Sequence, residues 1–203
     1  MENDLADTAF MVRRSEGEYD LRWFMPRGEI NLNGHATLAA GYCLLTRMEP
    51  ERQGIVFHTK GGEQTVTKDG DWLELKLPAA ETRSVAITDG LVRVLGKRPI
   101  ELRFGENYLA VYDSAEDVKC LTPDFAAMKR LEQGFGVFVT APGDGTCDIV
   151  DRAFWPKMGV DEDPVCGNMH CNLAPYWAGR LGKSELMSHQ LSPRLRRPSW
   201  CWS

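Results

Sequence analysis

Hydrophobic and polar positions alternate at the start of the chain. Ala9 to Arg13 reads as a strand, and so does Tyr19 to Met25, where Tyr19, Leu21, Trp23 and Met25 share one face. Glu16-Gly17-Glu18 predicts a hairpin turn between them. After a loop from Pro26 to Asn33 the period changes. From His35 to about Arg47, Ala36, Leu38, Ala39, Ala40, Tyr42, Cys43, Leu44 and Leu45 spread round the whole circumference of a helix. Such a helix is expected to be wrapped by strands. Past Pro50, strand patterns return at Gly54 to Thr59, Glu63 to Lys68 and Trp72 to Leu77. Lys68-Asp69-Gly70-Asp71 supplies a hairpin turn, and Leu73, Leu75 and Leu77 share the face expected to be buried.

Pro78 to Ser84 carries no period and marks the expected boundary, giving half-domains 1–82 and 83–203. The second half predicts a helix over Thr88 to Leu95 ended by Gly96, then strands at Ile100 to Phe104 and Tyr108 to Tyr112. Thr122-Pro123-Asp124 reads as a helix start, with Thr as the cap, and the helix runs to about Glu132. Strands follow at Gly136 to Ala141 and Asp148 to Phe154, then an acidic loop and a second buried helix from Asn168 to Leu181. Up to Arg194 the chain reads as a loop heading for another strand. The tail 194–203 has neither period and reads as foreign to the fold.

One local pattern occurs twice. Arg22-Trp23-Phe24-Met25-Pro26 leads to Asn33-Gly34-His35 and the apolar run ATLAAGYCLL; Arg152-Ala153-Phe154-Trp155-Pro156 leads to Cys166-Gly167-Asn168 and MHCNLAPYWA. The unequal intervals exclude a solenoid period. A strand–loop–helix unit used twice, without regular βα alternation, predicts an α+β fold of two similar halves. Arg22 and Arg152 are expected to tie down their loops through ion pairs.

Net charge is −5 and the basic residues form no stripe, so nucleic acid is not an expected partner. No apolar run has the length of a membrane span, and MENDLADTAF lacks the regions of a signal peptide. Six cysteines without dense spacing point to reduced thiols in a cytoplasmic protein.

The candidate chemistry gathers at the two helix starts. A Gly there leaves backbone N–H groups free to meet an anion, which points to Gly34, Gly167 and Asn168. His35 could donate to a carboxylate or move a proton. Asp163 could stay ionised beside a helix N-terminus, where Cys166 would gain thiolate character. Cys166 and His170 share a helix face, but no second ligand pair has zinc-like spacing, so no metal is expected. Asp7 by composition is a plain acid before a strand.

The runs NDLADTAFMV, LRWFMPRGEINLNGHATLAAGY, DRAFWPKMGVDEDPVCGNMHCNLAPYWAGRLGK and HQLSPR resemble the phenazine-biosynthesis PhzF-like isomerase family, from Asn3 to about Arg194. The resemblance implies a diaminopimelate-epimerase-like fold. Each half would be a curved, barrel-like mixed sheet around a central buried helix, with the active site between the halves. It further implies a cofactor-independent isomerase, possible as a homodimer, that moves a proton between carbons of a small carboxylate-bearing metabolite. Asp7, His35 and Asp163 would be catalytic, and Gly34, Gly167, Asn168 and Cys166 would line the substrate site. The family's Glu is Asp7 here, which could move the base by about 1 Å. Asn33 and Cys166 stand where epimerase relatives place paired cysteines, so an amino- or imino-acid epimerase is the alternative enzyme. The family pattern also extends beyond both ends of this chain, from which a truncated, non-catalytic or binding protein is the alternative of another class.

Overall fold

The opening hairpin forms where the alternation puts it: β1 (Thr8–Ser15) pairs antiparallel with β2 (Glu18–Met25) across a turn in which Gly17 has φ +73°. The structure is a computed structural model that describes residues 7–25, 28–192 and 199–202. Residues 1–6, 26–27, 193–198 and Ser203, on which parts of the family pattern and of the tail fall, lie outside the described residues. Two compact units divide the chain, residues 1–78 and 79–203.

In the first unit β2 also pairs antiparallel with β3 (Gly28–Ile30) and parallel with β4 (Gly54–Thr59). The sequence reads β3 as loop because three residues are too few to show alternation. β5 (Gly62–Asp69) and β6 (Trp72–Lys76) complete an open sheet ordered β1-β2-β4-β5-β6, with β3 beside β2. Leu73, Leu75 and Leu77 are half-buried rather than buried, since β6 is an edge strand.

The helix α1 (Gly34–Cys43) packs Ala36 and Ala40 against Leu21, Trp23, Ile55, Phe57 and Val66, and runs on into a π-helical turn, Leu44–Met48. A Cβ on Gly41 would lie 2.6 Å from Val66, so only glycine permits this approach to the sheet. The apolar circumference predicts a wholly wrapped helix, yet Tyr42 is 54% exposed and Ala39 and Cys43 are also exposed. An open sheet covers one side of a helix; no closed barrel surrounds this one among the described residues.

The second unit begins with β7 (Arg83–Ser84) and α2 (Asp89–Leu95), which Thr88 caps and Gly96 ends at φ +78°. After β8 (Glu101–Phe104) and β9 (Tyr108–Val111) come two short helices, α3 (Ala115–Lys119) and α4 (Phe125–Met128). α3 spans little more than a turn, too short for a periodic signal. α4 corrects the expectation at Thr122: Asp124 is the cap, accepting from Ala127 N–H at 2.8 Å. It also ends early, because Arg130 and Leu131 bond three residues back, to Ala127 and Met128, and tighten the chain.

β10 (Val137–Pro142), β11 (Ile149–Trp155), β12 (Val160–Asp163), α5 (His170–Leu181), β13 (Leu186–Gln190) and β14 (Ser199–Trp202) follow. Together they make an eight-stranded sheet ordered β14-β13-β11-β10-β9-β8-β7, with β12 beside β11. Its two faces divide by parity. Ala110, Val137, Val139, Val150 and Phe154 meet α2, α3 and α4, while Leu109, Val111, Phe138 and Ala153 meet Met169, Leu173 and Trp177 at α5. Pro175 lies inside α5 and has no N–H to give Cys171 O, which accepts from Ala80 N at 2.9 Å instead.

β13 and β14 also escaped the pattern. The buried side chains of β13 include Ser188 and Gln190, so polar residues occupy its inner face. Residues 199–202 of the tail are strand β14, paired antiparallel with β13, and so belong to the sheet.

The repeated motif corresponds to repeated topology. β2 has an antiparallel hairpin partner (β1), a short antiparallel neighbour (β3), a following helix (α1) and a parallel neighbour (β4). β11 has the same set in β10, β12, α5 and β13. β14 pairs with β13 as β5 pairs with β4.

Candidate active site

Asn33 holds an extended conformation before α1, and its Oδ1 accepts from Ala36 N–H at 2.9 Å, the bond of an N-cap. The other end of the same amide donates from Nδ2 to Asp7 Oδ2. His35 Nε2 stands 3.0 Å from that carboxylate oxygen. Asp7, directly before β1, is largely buried with its side chain 12% exposed, while His35 is 49% exposed and open to solvent. Behind them Thr37 Oγ1 donates to Asn33 O and lies 3.1 Å from Gln64 Oε1. The first mouth thus joins a carboxylate, an imidazole and a fixed amide, with Gly34 buried at the start of the helix. Such a group can hold or hand over a proton at Asp7 Oδ2. Asn33 is the member the sequence reading left outside the site; its signal was the polar residue placed just before Gly-His and an apolar run.

The second mouth is built differently. Asp163 ends β12, and its Oδ1 accepts from Val165 N–H at 3.0 Å, closing a tight turn over Pro164. Cys166 N–H donates to Gln190 Oε1 at 2.8 Å, and Gln190 Nε2 donates to Asp163 O at 2.6 Å. Gly167 to Met169 form a turn, with His170 N bonded to Gly167 O and Cys171 N to Asn168 O, so α5 begins at His170 rather than at Asn168. Cys166 does not gain the thiolate character expected of it. It is 3% exposed, and burial, reinforced by the charge of Asp163, pushes its thiol well above the ordinary range. His170 Nδ1 is 3.2 Å from Cys166 O, and its Nε2 is 3.4 Å from Asp151 Oδ2, to which Ser188 also donates.

Each mouth is braced by its arginine. Arg22 donates from Nε and Nη2 to Glu29 of β3, both at 2.7 Å, and Arg152 donates from the same atoms to Glu162 of β12, both at 2.8 Å. The planar fork matches a carboxylate at two points and locks the short strand to the long one. Among the described residues no three His, Cys, Asp or Glu side chains are grouped to hold a metal ion, and no helix is long and apolar enough to cross a membrane.

Comparison with known proteins agrees with this architecture. The model of the family described as phenazine biosynthesis-like protein matches residues 1–198, and the chain belongs to that family. An uncharacterized isomerase of Pseudomonas aeruginosa is 43% identical over 196 residues, which span 97% of this chain and 74% of the relative. The crystal structure of a phenazine biosynthesis protein of the PhzF family from Enterococcus faecalis superposes with a TM-score of 0.86 at 40% identity, over 95% of this chain and 74% of that one. A probable proline racemase from Agrobacterium radiobacter, solved with bound carbonate, shares the fold alone, with a TM-score of 0.61 at 12% identity over 91% of this chain and 64% of that one.

Proposed function

We propose that the protein is an isomerase that moves a proton between carbons of a small carboxylate-bearing metabolite by acid–base catalysis. The observation that carries this reading is the Asp7 carboxylate held by Asn33 Nδ2 with His35 Nε2 3.0 Å away. Asp7 takes the proton from one carbon and returns it to another, so nothing is oxidised or reduced. His35 steadies the carboxylate between the two transfers. Asp163 serves as the second acid, and the backbone N–H groups of Gly34, Gly167 and Asn168 are the donors we assign to the substrate's carboxylate, beside Cys166. The isomerase names of the relatives support the reaction class, and the family resemblance supports a cytoplasmic homodimer. A two-thiol racemisation is less well supported: Asn33 occupies one of the two positions, and Cys166 at the other is buried and protonated.

The test is incubation with a panel of cyclic and amino carboxylic acids in deuterated water, read by NMR for solvent deuterium at carbon. Intact protein should label at least one acid, and Asp7→Asn should lower the rate about 10²- to 10⁴-fold, the range for a positioned general base. Labelling that survives Asp7→Asn would remove Asp7 as the proton carrier. No labelling by the intact protein would favour a binding protein.

A further inference from the structure

HQLSPR contributes to the family resemblance, yet the proposed reaction leaves it without a task. Its Gln190 is 3% exposed and lies on β13, opposite Asp151 of β11. Both ends of its amide are used on a single loop. Oε1 accepts from Cys166 N–H at 2.8 Å and Nε2 donates to Asp163 O at 2.6 Å, so one side chain bridges the two ends of the segment Asp163-Pro164-Val165-Cys166. Inside that bridge, the Asp163 carboxylate accepts from Val165 N–H at 3.0 Å. On the far side of Cys166, its carbonyl lies 3.2 Å from His170 Nδ1.

We propose that Gln190 is the positioning residue of the second mouth, setting the Asp163 carboxylate relative to Cys166-Gly167-Asn168. The inference rests on the reading of Asp163 and this mouth as part of the site. It follows from what the loop requires. The bridge must offer one acceptor and one donor, about an amide's width apart, in a place closed to water. A neutral carboxamide meets that need, an apolar side chain leaves two buried backbone groups unpaired, and a carboxylate turns an oxygen toward the Asp163 carbonyl. Gln190 touches no reacting atom in this scheme; it acts through the loop.

Two variants test it. Gln190→Met keeps the length and removes both hydrogen bonds. Gln190→Glu keeps the acceptor and regains the donor only when its carboxyl is protonated; the charged and titratable residues around it are Asp151, its register partner, and Asp163 and Cys166 at the ends of the bridge, with His170 3.4 Å from Asp151. Amide exchange of Cys166, followed by NMR, is the readout that needs no turnover, and solvent-deuterium labelling of the acid panel is the second. In Gln190→Met the Cys166 amide should exchange at least about fivefold faster, as expected of a lost hydrogen bond of about 1 kcal/mol or more. Amides of α2 in the same unit should keep their protection. Labelling should fall mainly through kcat. Gln190→Glu should behave like Gln190→Met at pH 8 and recover both protection and labelling as pH falls, relative to intact protein at the same pH. Unchanged Cys166 exchange in Gln190→Met, or parallel pH profiles for the two variants, would overturn the proposal. If the intact protein labels no acid, the proposed reaction fails while Cys166 exchange still decides for or against the bridge. If Gln190→Met does not fold, the pH profile of Gln190→Glu decides it.

Discussion

Arg22 and Arg152 occupy matching positions in two copies of one local structure, yet they work in different surroundings. Both present Nε and Nη2 to a glutamate on the adjacent short strand, and both lie over the phenylalanine two residues on, at 5.2 Å and 5.0 Å. Arg22 is 53% exposed, beside an uncovered sheet face where its register partner Phe10 is also exposed. Arg152 is 7% exposed, and its Nη1 also donates to the carbonyls of Val118 and Leu121, at 3.0 Å and 2.9 Å, next to α3. The motif dictates the ion pair, but what covers the sheet decides how much depends on it. An exposed pair is screened by water; a buried one leaves a stranded charge if either partner is removed.

The sharpest way to break this comparison is to remove both arginines in turn. Arg152→Met should destabilise the protein by about 3–5 kcal/mol, the range for breaking a buried ion pair, whereas Arg22→Met should leave stability nearly unchanged. Denaturant titration measures both, and equal losses would mean that the two pairs are energetically alike after all. A smaller effect separates the mouths themselves. Asn33→Ala should lose about 0.5–2 kcal/mol as a cap is removed, and should slow deuterium labelling as well, because one amide serves both the helix and Asp7. Asn33→Ser, which can still cap but has no Nδ2 to give Asp7, should recover stability in a thermal melt without recovering the labelling rate.

The smallest expected effect is electrostatic. Hydrogen bonds from Arg22 and Lys60 hold Glu29 down to about 2 from an ordinary 4.5. A carboxyl depressed in the folded state stabilises the fold above its unfolded value and loses that contribution as pH falls from about 4.5 towards 2. Thermal melts across that window should therefore fall slightly less steeply for Glu29→Gln than for the intact protein, the slope being modest because the pair is exposed.

The doubled motif was visible in sequence because it rests on local requirements. A strand must end at Pro, an Arg needs a nearby acid, and a helix needs a polar cap or a glycine at its mouth. Asn33-Gly34-His35 could be read as a helix start from its neighbours alone, and Thr88 and Gly96 likewise bounded α2 correctly. Elements whose signal is not local were lost. β3 and α3 are shorter than any period that could reveal them, and β13 turns Ser188 and Gln190 inward, so its hydrophobic alternation is concealed. β14 was lost for the same reason: it is a strand because β13 offers it a partner, whatever its own pattern.

Chain order, the starts of α1 and α2, the paired arginines and the family pattern could therefore be read from the residues themselves, since each follows from interactions between near neighbours. Folding alone decided the rest. It brought the Asp7 carboxylate to His35 and Asn33 across the hairpin, used both ends of Gln190 on one loop, and buried Cys166 deeply enough to push its thiol well above the ordinary range. Desolvation and long-range contact depend on what is packed around a group, and for these residues the deciding neighbours lie far away in the chain.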